Sequence, residues 1–254
     1  MIVHDVVQGS PEWQQLRAGR PTASNFHKIV TPAKCELSKQ ADGYMAHLLA
    51  ERILGYPLDT ISTAAMETGR EREPEAAACY EFQRGVETIK IGICFTDDGR
   101  IGASPDRFVG EDGLLEIKCP NPGTHVSYLL AGASVSADYK PQVQGQLWIT
   151  GRQYIDCMSF CHRFPEAVFR IERDDSYIAK LSNAVTQFAD ELDATLERLL
   201  ALGCRLPEPR EAEEYDGRFD VTDADVEAIL AGKGLATAID ATMAAARKQE
   251  VLPE

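Results

Sequence analysis

Apolar and polar positions along the chain follow two periods, 3.6 and 2, punctuated by Gly and Pro. The clearest run is 175–202. Its apolar residues at 178, 181, 185, 188, 192, 196, 199 and 200 share one face and predict a long amphipathic helix. Helices are also predicted over 42–55 and 67–84, with short ones over 10–17 and 24–30, the latter opening at a Thr22/Ser24 cap. The Ile-rich 88–96 predicts a strand, as do 100–103 and 106–109 on either side of the Ser104-Pro105 turn. Residues 113–118 are apolar up to a polar end, and Cys119-Pro120-Asn121-Pro122-Gly123 then breaks regular structure. Helices near 124–131 and 139–150 follow, then strands 153–161 and 166–172 as a hairpin. This alternation predicts one α/β domain over 1–204. Leu206-Pro207-Glu208-Pro209 marks a break, and 205–254 reads as an acidic appendage with helices near 223–231 and 235–249. At 50 residues it is too short for a second catalytic domain.

Composition narrows the class. With 254 residues, 44% of them hydrophobic and 26% charged, the chain can bury a core without disulfide or metal staples, which excludes global disorder. Seven scattered cysteines point to free thiols in a reducing compartment. Cys157, Cys161 and His162 lie on a strand-like segment with no second ligand pair at zinc-finger spacing, so no zinc is expected there. No basic-then-apolar leader and no run of 18 apolar residues occurs, so a cytoplasmic protein without a membrane span is expected. Neither phosphate-loop nor dinucleotide fingerprint is present, which argues against ATP. The balance of 26 Lys+Arg against 40 Asp+Glu, a net charge of −14, speaks against a nucleic-acid partner, because phosphate binding runs on basic side chains.

The residues between 102 and 120 say the opposite. Asp106 follows a Ser-Pro turn, and Glu116 and Lys118 flank Ile117 on a strand. Period two puts Glu116 and Lys118 on one face and turns Ile117 to the core. If 106–109 pairs with 113–118, Asp106 comes level with Glu116. Two carboxylates and a backbone carbonyl then offer hard oxygen ligands to Mg²⁺. The neighbouring ammonium can orient a water or steady charge on a phosphate. Phosphodiester hydrolysis needs this set.

This arrangement resembles the PD-(D/E)xK nuclease superfamily, and the wider chain resembles one branch of it, the lambda exonuclease family of YqaJ-type phage recombination nucleases. The likeness runs in collinear order over about residues 5–202. It includes Trp13 to Ser24, Gly69-Arg-Glu-Arg-Glu73, Ser104-Pro-Asp106, Leu115 to Pro120, Tyr139-Lys-Pro-Gln142-Val-Gln144 with Leu147-Trp148, and Arg170 to Asp174. It implies an α/β, restriction-endonuclease-like core: a central mixed β-sheet flanked by helices. It implies a Mg²⁺-dependent processive 5′→3′ exonuclease that hydrolyses the 5′-phosphorylated strand of linear double-stranded DNA to mononucleotides. The 3′ single-stranded overhang is left for phage-type recombination through a single-strand annealing protein. Two ions per site, with Mn²⁺ able to substitute, a homotrimeric ring, and a phage or prophage gene in a bacterial host belong to the same implication.

By this resemblance Asp106, Glu116 and the Ile117 carbonyl ligate metal, and Lys118 positions the attacking water. Glu73 serves a second ion or its waters. Gln142 holds the nucleophile or the scissile phosphate, whereas Gln144 suits ordinary helix hydrogen bonding. Arg17, Ser24 and Ser104 form a 5′-phosphate pocket, and Met66 falls at the position of the wedge between terminal base pairs. Residues 13–35 hold Arg17, Arg20, Lys28 and Lys34 and no acid, which suits an anion site at a helix start. Trp13 and Trp148 are expected in the core. The chain departs from the family pattern at Arg107, where glycine is usual, so that a phosphate contact or a crowded turn is expected there. Lys140-Pro141 should place the start of the glutamine helix near 138–140.

Overall fold

A computed structural model describes residues 1–58, 64–131 and 139–208, apart from the side chains of 64–68, 70 and 131. The chain divides into two units, Met1–Pro207 and Glu208–Glu254. The helices expected near 223–231 and 235–249 lie outside the described residues.

In chain order the elements are β1 (Ile2–His4), α1 (Pro11–Arg17), a 3₁₀ turn (Ala23–Asn25), α2 (Phe26–Ile29), α3 (Ala41–Leu54) and α4 (Ala64–Arg84). Then come β2 (Thr88–Lys90), β3 (Ile93–Phe95), β4 (Gly102–Ala103), β5 (Arg107–Val109) and β6 (Gly113–Lys118). The unit closes with α5 (Pro122–Ala131), α6 (Lys140–Thr150), β7 (Tyr154–Ser159), β8 (Ala167–Glu172) and α7 (Asp175–Ala201). No helix among the described residues is long and apolar enough to cross a membrane.

The central sheet runs β2-β5-β6-β7-β8. It is mixed: β6 and β7 are parallel and the other neighbours antiparallel. Both of its faces are covered. Leu115, Ile117 and Met158 pack with Ala76, Ala77 and Tyr80 of α4. Leu114, Ile155 and Cys157 pack with Val143 and Leu147 of α6 and Ile178 of α7. Odd and even residues of β6 thus meet different helices, as the period-two reading requires. The predicted stripe of α7 is buried at Ile178, Leu181, Val185, Phe188 and Leu192. Helix α6 starts at Lys140, with Pro141 in its first turn.

Two local expectations differ from the structure. The single strand expected over 88–96 is split: β2 joins the central sheet, and β3 joins a small sheet ordered β1-β3-β4. The break falls at Gly92, where a Cβ would lie 2.4 Å from the Val6 carbonyl oxygen and 2.5 Å from that of His4. The N-terminal segment crosses so closely that only a residue without a side chain fits. The helix expected over 24–30 is the 3₁₀ turn plus the single turn of α2, and Thr22 makes no side-chain cap bond. That segment is too short to carry a helix-end anion site of any strength.

Candidate active site

The β5–β6 pairing, with Arg107 opposite Leu115, brings Asp106 level with Glu116. Its Oδ2 accepts the Ile117 N–H at 2.6 Å. Glu116 and Lys118 share a face, and the Lys118 ammonium donates to Glu116 Oε1 at 2.6 Å. Burial and the neighbouring Glu116 charge push the Asp106 carboxyl well above the usual range, against the pull of Lys118 and the Ile117 N–H. The same cluster raises Lys118, chiefly through Glu116, so its positive charge is secure.

Helix α6 completes the carboxylate's surroundings. Gln142 Nε2 donates to Glu116 Oε1 at 2.8 Å, and Gln146 Nε2 donates to Oε2 at 2.8 Å. The family resemblance implies that Gln142 holds the nucleophile or the phosphate; in the structure its amide N–H₂ holds Glu116. Gln146 was missed, although its i,i+4 spacing from Gln142 was a signal that both lie on one helix face. Gln144 is buried and structural. It donates to the Glu172 carbonyl and accepts from the Asp174 N–H, both at 2.9 Å.

Glu73 of α4 reaches the same cleft, and its charge contributes to the rise at Asp106. Its Oε1 lies 3.1 Å from the Lys90 ammonium on β2, a partner that no sequence signal indicated. Among the described residues no group of three or more His, Cys, Asp or Glu side chains forms a ready metal cage. The hard donors that fit a divalent ion are two carboxylates, Asp106 and Glu116, with a main-chain oxygen between Glu116 and Lys118, as on a site that leaves positions to water and substrate. Gln146 lines the same cleft, and its buried Oε1 has no partner among the described residues.

An open cleft of about 940 Å³ joins this centre to the cationic segment of α1 and the 3₁₀ turn. Arg17 Nη2 donates to Ser24 Oγ at 3.0 Å. The Arg17 guanidinium lies 4.2 Å from the centre of the Trp13 ring, and the Trp13 indole N–H donates to Ser104 Oγ at 3.1 Å. Arg17 and Ser24, with Ser104 from a distant part of the sequence, are therefore one cluster with Trp13 as its base. Trp13 is half-buried and lines the cleft, so its expected place in the core is corrected. Trp148 does pack on the core, against Phe26. Burial lowers the Arg17 pKa from its ordinary value, while Tyr44 and Glu51 pull the other way. Arg107 is not among the cleft residues: its Nη1 donates to Thr88 Oγ1 at 3.1 Å and lies 3.8 Å from Glu81. The side chain of Met66 is outside the described residues.

A mixed sheet with a carboxylate pair and lysine on β6 and its neighbouring turn defines the class, a nuclease fold of the PD-(D/E)xK type. Within that class the chain belongs to the family described as the YqaJ-like viral recombinase domain, which matches residues 12–153. Among solved structures it is similar to the alkaline exonuclease LHK-Exo from Laribacter hongkongensis, with 36% identity and a TM-score of 0.68 over 76% of this chain and 97% of that one. LHK-Exo in complex with dAMP matches with 37% identity and a TM-score of 0.68 over the same shares, 76% and 97%. A phage-related exonuclease from Haemophilus somnus 129PT shares the fold, at 17% identity and a TM-score of 0.58 over 71% of this chain and 96% of that one. No curated protein sequence matches.

Proposed function

We propose that this chain is a Mg²⁺-dependent 5′→3′ exonuclease acting on the ends of linear double-stranded DNA. The observation that carries the reading is a single cleft holding two sets of groups. One set is Asp106, Glu116 and Lys118; the other is Arg17, Ser24 and Ser104, and both line it. The first set suits a phosphodiester under attack, the second a terminal phosphate. The likeness to an alkaline exonuclease whose structure was solved with dAMP supports the same reading.

Asp106, Glu116 and the Ile117 carbonyl would hold the first ion and Glu73 a second. When bound, Mg²⁺, or Mn²⁺ in its place, supplies Lewis acidity at the scissile phosphate and makes water a nucleophile near neutral pH. The protein's own groups set the geometry. Lys118, charged and beside Glu116, orients the attacking water and steadies the developing negative charge. The Arg17 fork, with Ser24 and Ser104, grips the 5′-phosphate and places the next phosphodiester over Asp106 and Glu116. Water adds to phosphorus, and the P–O3′ bond breaks. A 5′-mononucleotide leaves, and the shortened strand carries a new 5′-phosphate. Each turnover thus regenerates the group the pocket recognises, which suits processive action without ATP. The reading extends to a homotrimeric ring around DNA, a single-strand annealing partner for the 3′ overhang, and a phage or prophage gene acting in bacterial cytoplasm.

The test is release of mononucleotides from linear duplex in Mg²⁺, with and without a 5′-phosphate. The phosphorylated end should be preferred, and Lys118→Ala should lower the rate by about 10²- to 10³-fold. No release from linear duplex, or an undiminished rate in the lysine variant, rejects the reading.

A further inference from the structure

The Glu116 carboxylate is held from two sides by one helix. Glu116 is only 5% exposed. Its Oε1 accepts from Lys118 and Gln142, and its Oε2 accepts from Gln146. Gln142 and Gln146 stand one turn apart on α6, so the two amides grip the two oxygens from a single rigid face. That face is fixed in turn. Val143 and Leu147 pack on Leu114 of β6. A Cβ added at Gly145 would come 2.6 Å from the Phe26 ring, so α6 sits hard against α2.

Gln144 and Gln146 are both about 1% exposed and differ in one respect. Gln144 satisfies both ends of its own amide on the backbone around β8 and α7. Gln146, which lines the cleft, donates its N–H₂ to Glu116 and leaves its buried Oε1 without a partner among the described residues. A buried acceptor is normally satisfied by protein or ordered water. A glutamine there only to fill the core would be seated as Gln144 is. The bond to Oε2 ties this amide to the reaction centre and leaves its other end unsatisfied.

We propose that Gln146 is a positioning residue: it locks the Glu116 carboxylate in one orientation for ion binding and offers its free carbonyl oxygen to a water held at that centre. The proposal rests on the reading of Asp106 and Glu116 as metal ligands. Without Gln146, Oε2 loses its only donor among the described residues, and the carboxylate turns about its remaining bonds to Lys118 and Gln142. The ion should then bind more weakly, while the 5′-phosphate pocket across the cleft is untouched.

The experiment measures Mn²⁺ binding to the full chain without DNA, by the electron paramagnetic resonance signal of free Mn²⁺. Four variants accompany the natural protein: Gln146→Met, Gln146→Asn, Gln144→Met and Asp106→Ala. Thermal melts verify folding. Both Gln146 variants should bind Mn²⁺ about 10-fold more weakly or worse. In turnover assays their apparent Mg²⁺ constant should rise while KM for duplex DNA stays unchanged. Gln144→Met should lower the melting temperature and leave Mn²⁺ affinity intact. Equal affinity in the natural protein and the Gln146 variants overturns the proposal. So does a loss in Gln144→Met that matches theirs, or failure of both Gln146 variants to fold, since Gln146 would then be a packing residue. If the natural protein binds no Mn²⁺, or Asp106→Ala binds it undiminished, the underlying metal reading fails instead.

Discussion

Arg17 keeps most of its fork available. One N–H goes to Ser24, and the guanidinium plane rests on Trp13, which fixes its direction without using its other donors. A terminal phosphate arriving there gains charge-assisted bonds worth about 1.5–3 kcal/mol. Arg17→Ala should therefore lower kcat/KM on 5′-phosphorylated duplex by about 10- to 100-fold, and leave 5′-hydroxyl duplex within about twofold. Arg17→Lys should fall between, since a point charge replaces a bidentate fork. Equal losses on both ends would show that Arg17 serves the fold rather than the phosphate. At this scale the carboxylate–lysine trio was readable because strand period and a tight turn fix it locally. Gln146, Lys90 and the cleft-facing place of Trp13 were not. Each depends on which element packs opposite, and no spacing in the chain encodes that.

Helix α7 shows what was readable at the scale of elements. Its apolar stripe is repeated over many turns, so no single contact can override it. Strand 88–96 carries no such redundancy, and one close backbone crossing at Gly92 divides it. β1, absent from the sequence reading, is a three-residue strand that exists only through pairing with β3. The start of α7 offers a clean test. Asp174 is its N-cap, accepting from the Tyr177 N–H at 3.0 Å and the Ser176 hydroxyl at 2.7 Å, and Lys140 of α6 lies 3.1 Å away. The Ser176 hydroxyl first, then the Tyr177 N–H and Lys140, hold this carboxyl down to about 2. Asp174→Ala should cost about 1 kcal/mol near neutral pH. For a unit of this size that is a fall of about 2–4 °C in Tm. Because the folded pKa is depressed, this stabilisation is complete above the unfolded carboxylate value near 4 and disappears as pH falls through about 2. Melts of both proteins should therefore differ by a constant amount between about pH 7 and about pH 5 and converge in stronger acid. A difference that persists unchanged at low pH would assign the effect to packing rather than to the ionised cap.

On the proposed function, the charge of the whole molecule sets where DNA can sit. The net −14 is unevenly spread: 1–35 sums to +2 and 117–165 to +2, while 36–116 sums to −8, 166–204 to −4 and 205–254 to −6. The two positive blocks supply Arg17, Arg20, Lys28 and Lys118 to the cleft, where Lys90 joins them. Glu73, Asp106 and Glu116, drawn from the acidic block, face the same cleft, where bound divalent ions would offset their charge. Elsewhere the acidic excess repels a polyanion, and at low salt that repulsion reaches further as screening weakens. A protein that binds DNA through an exposed basic face gains affinity for any duplex as salt is lowered. This one should gain it only for molecules that present an end to the cleft. With Lys118→Ala used to suppress hydrolysis, fluorescence anisotropy should show 5′-phosphorylated linear duplex binding at least about 10-fold more tightly than closed circular duplex of the same sequence, even at low salt. Tight, steeply salt-dependent binding to closed circles would place the contact on an exterior face and remove the end-selective cleft as the route for DNA. If circles stay weak while linear duplex binds, the acidity that first argued against a nucleic-acid partner is what confines that partner to its ends.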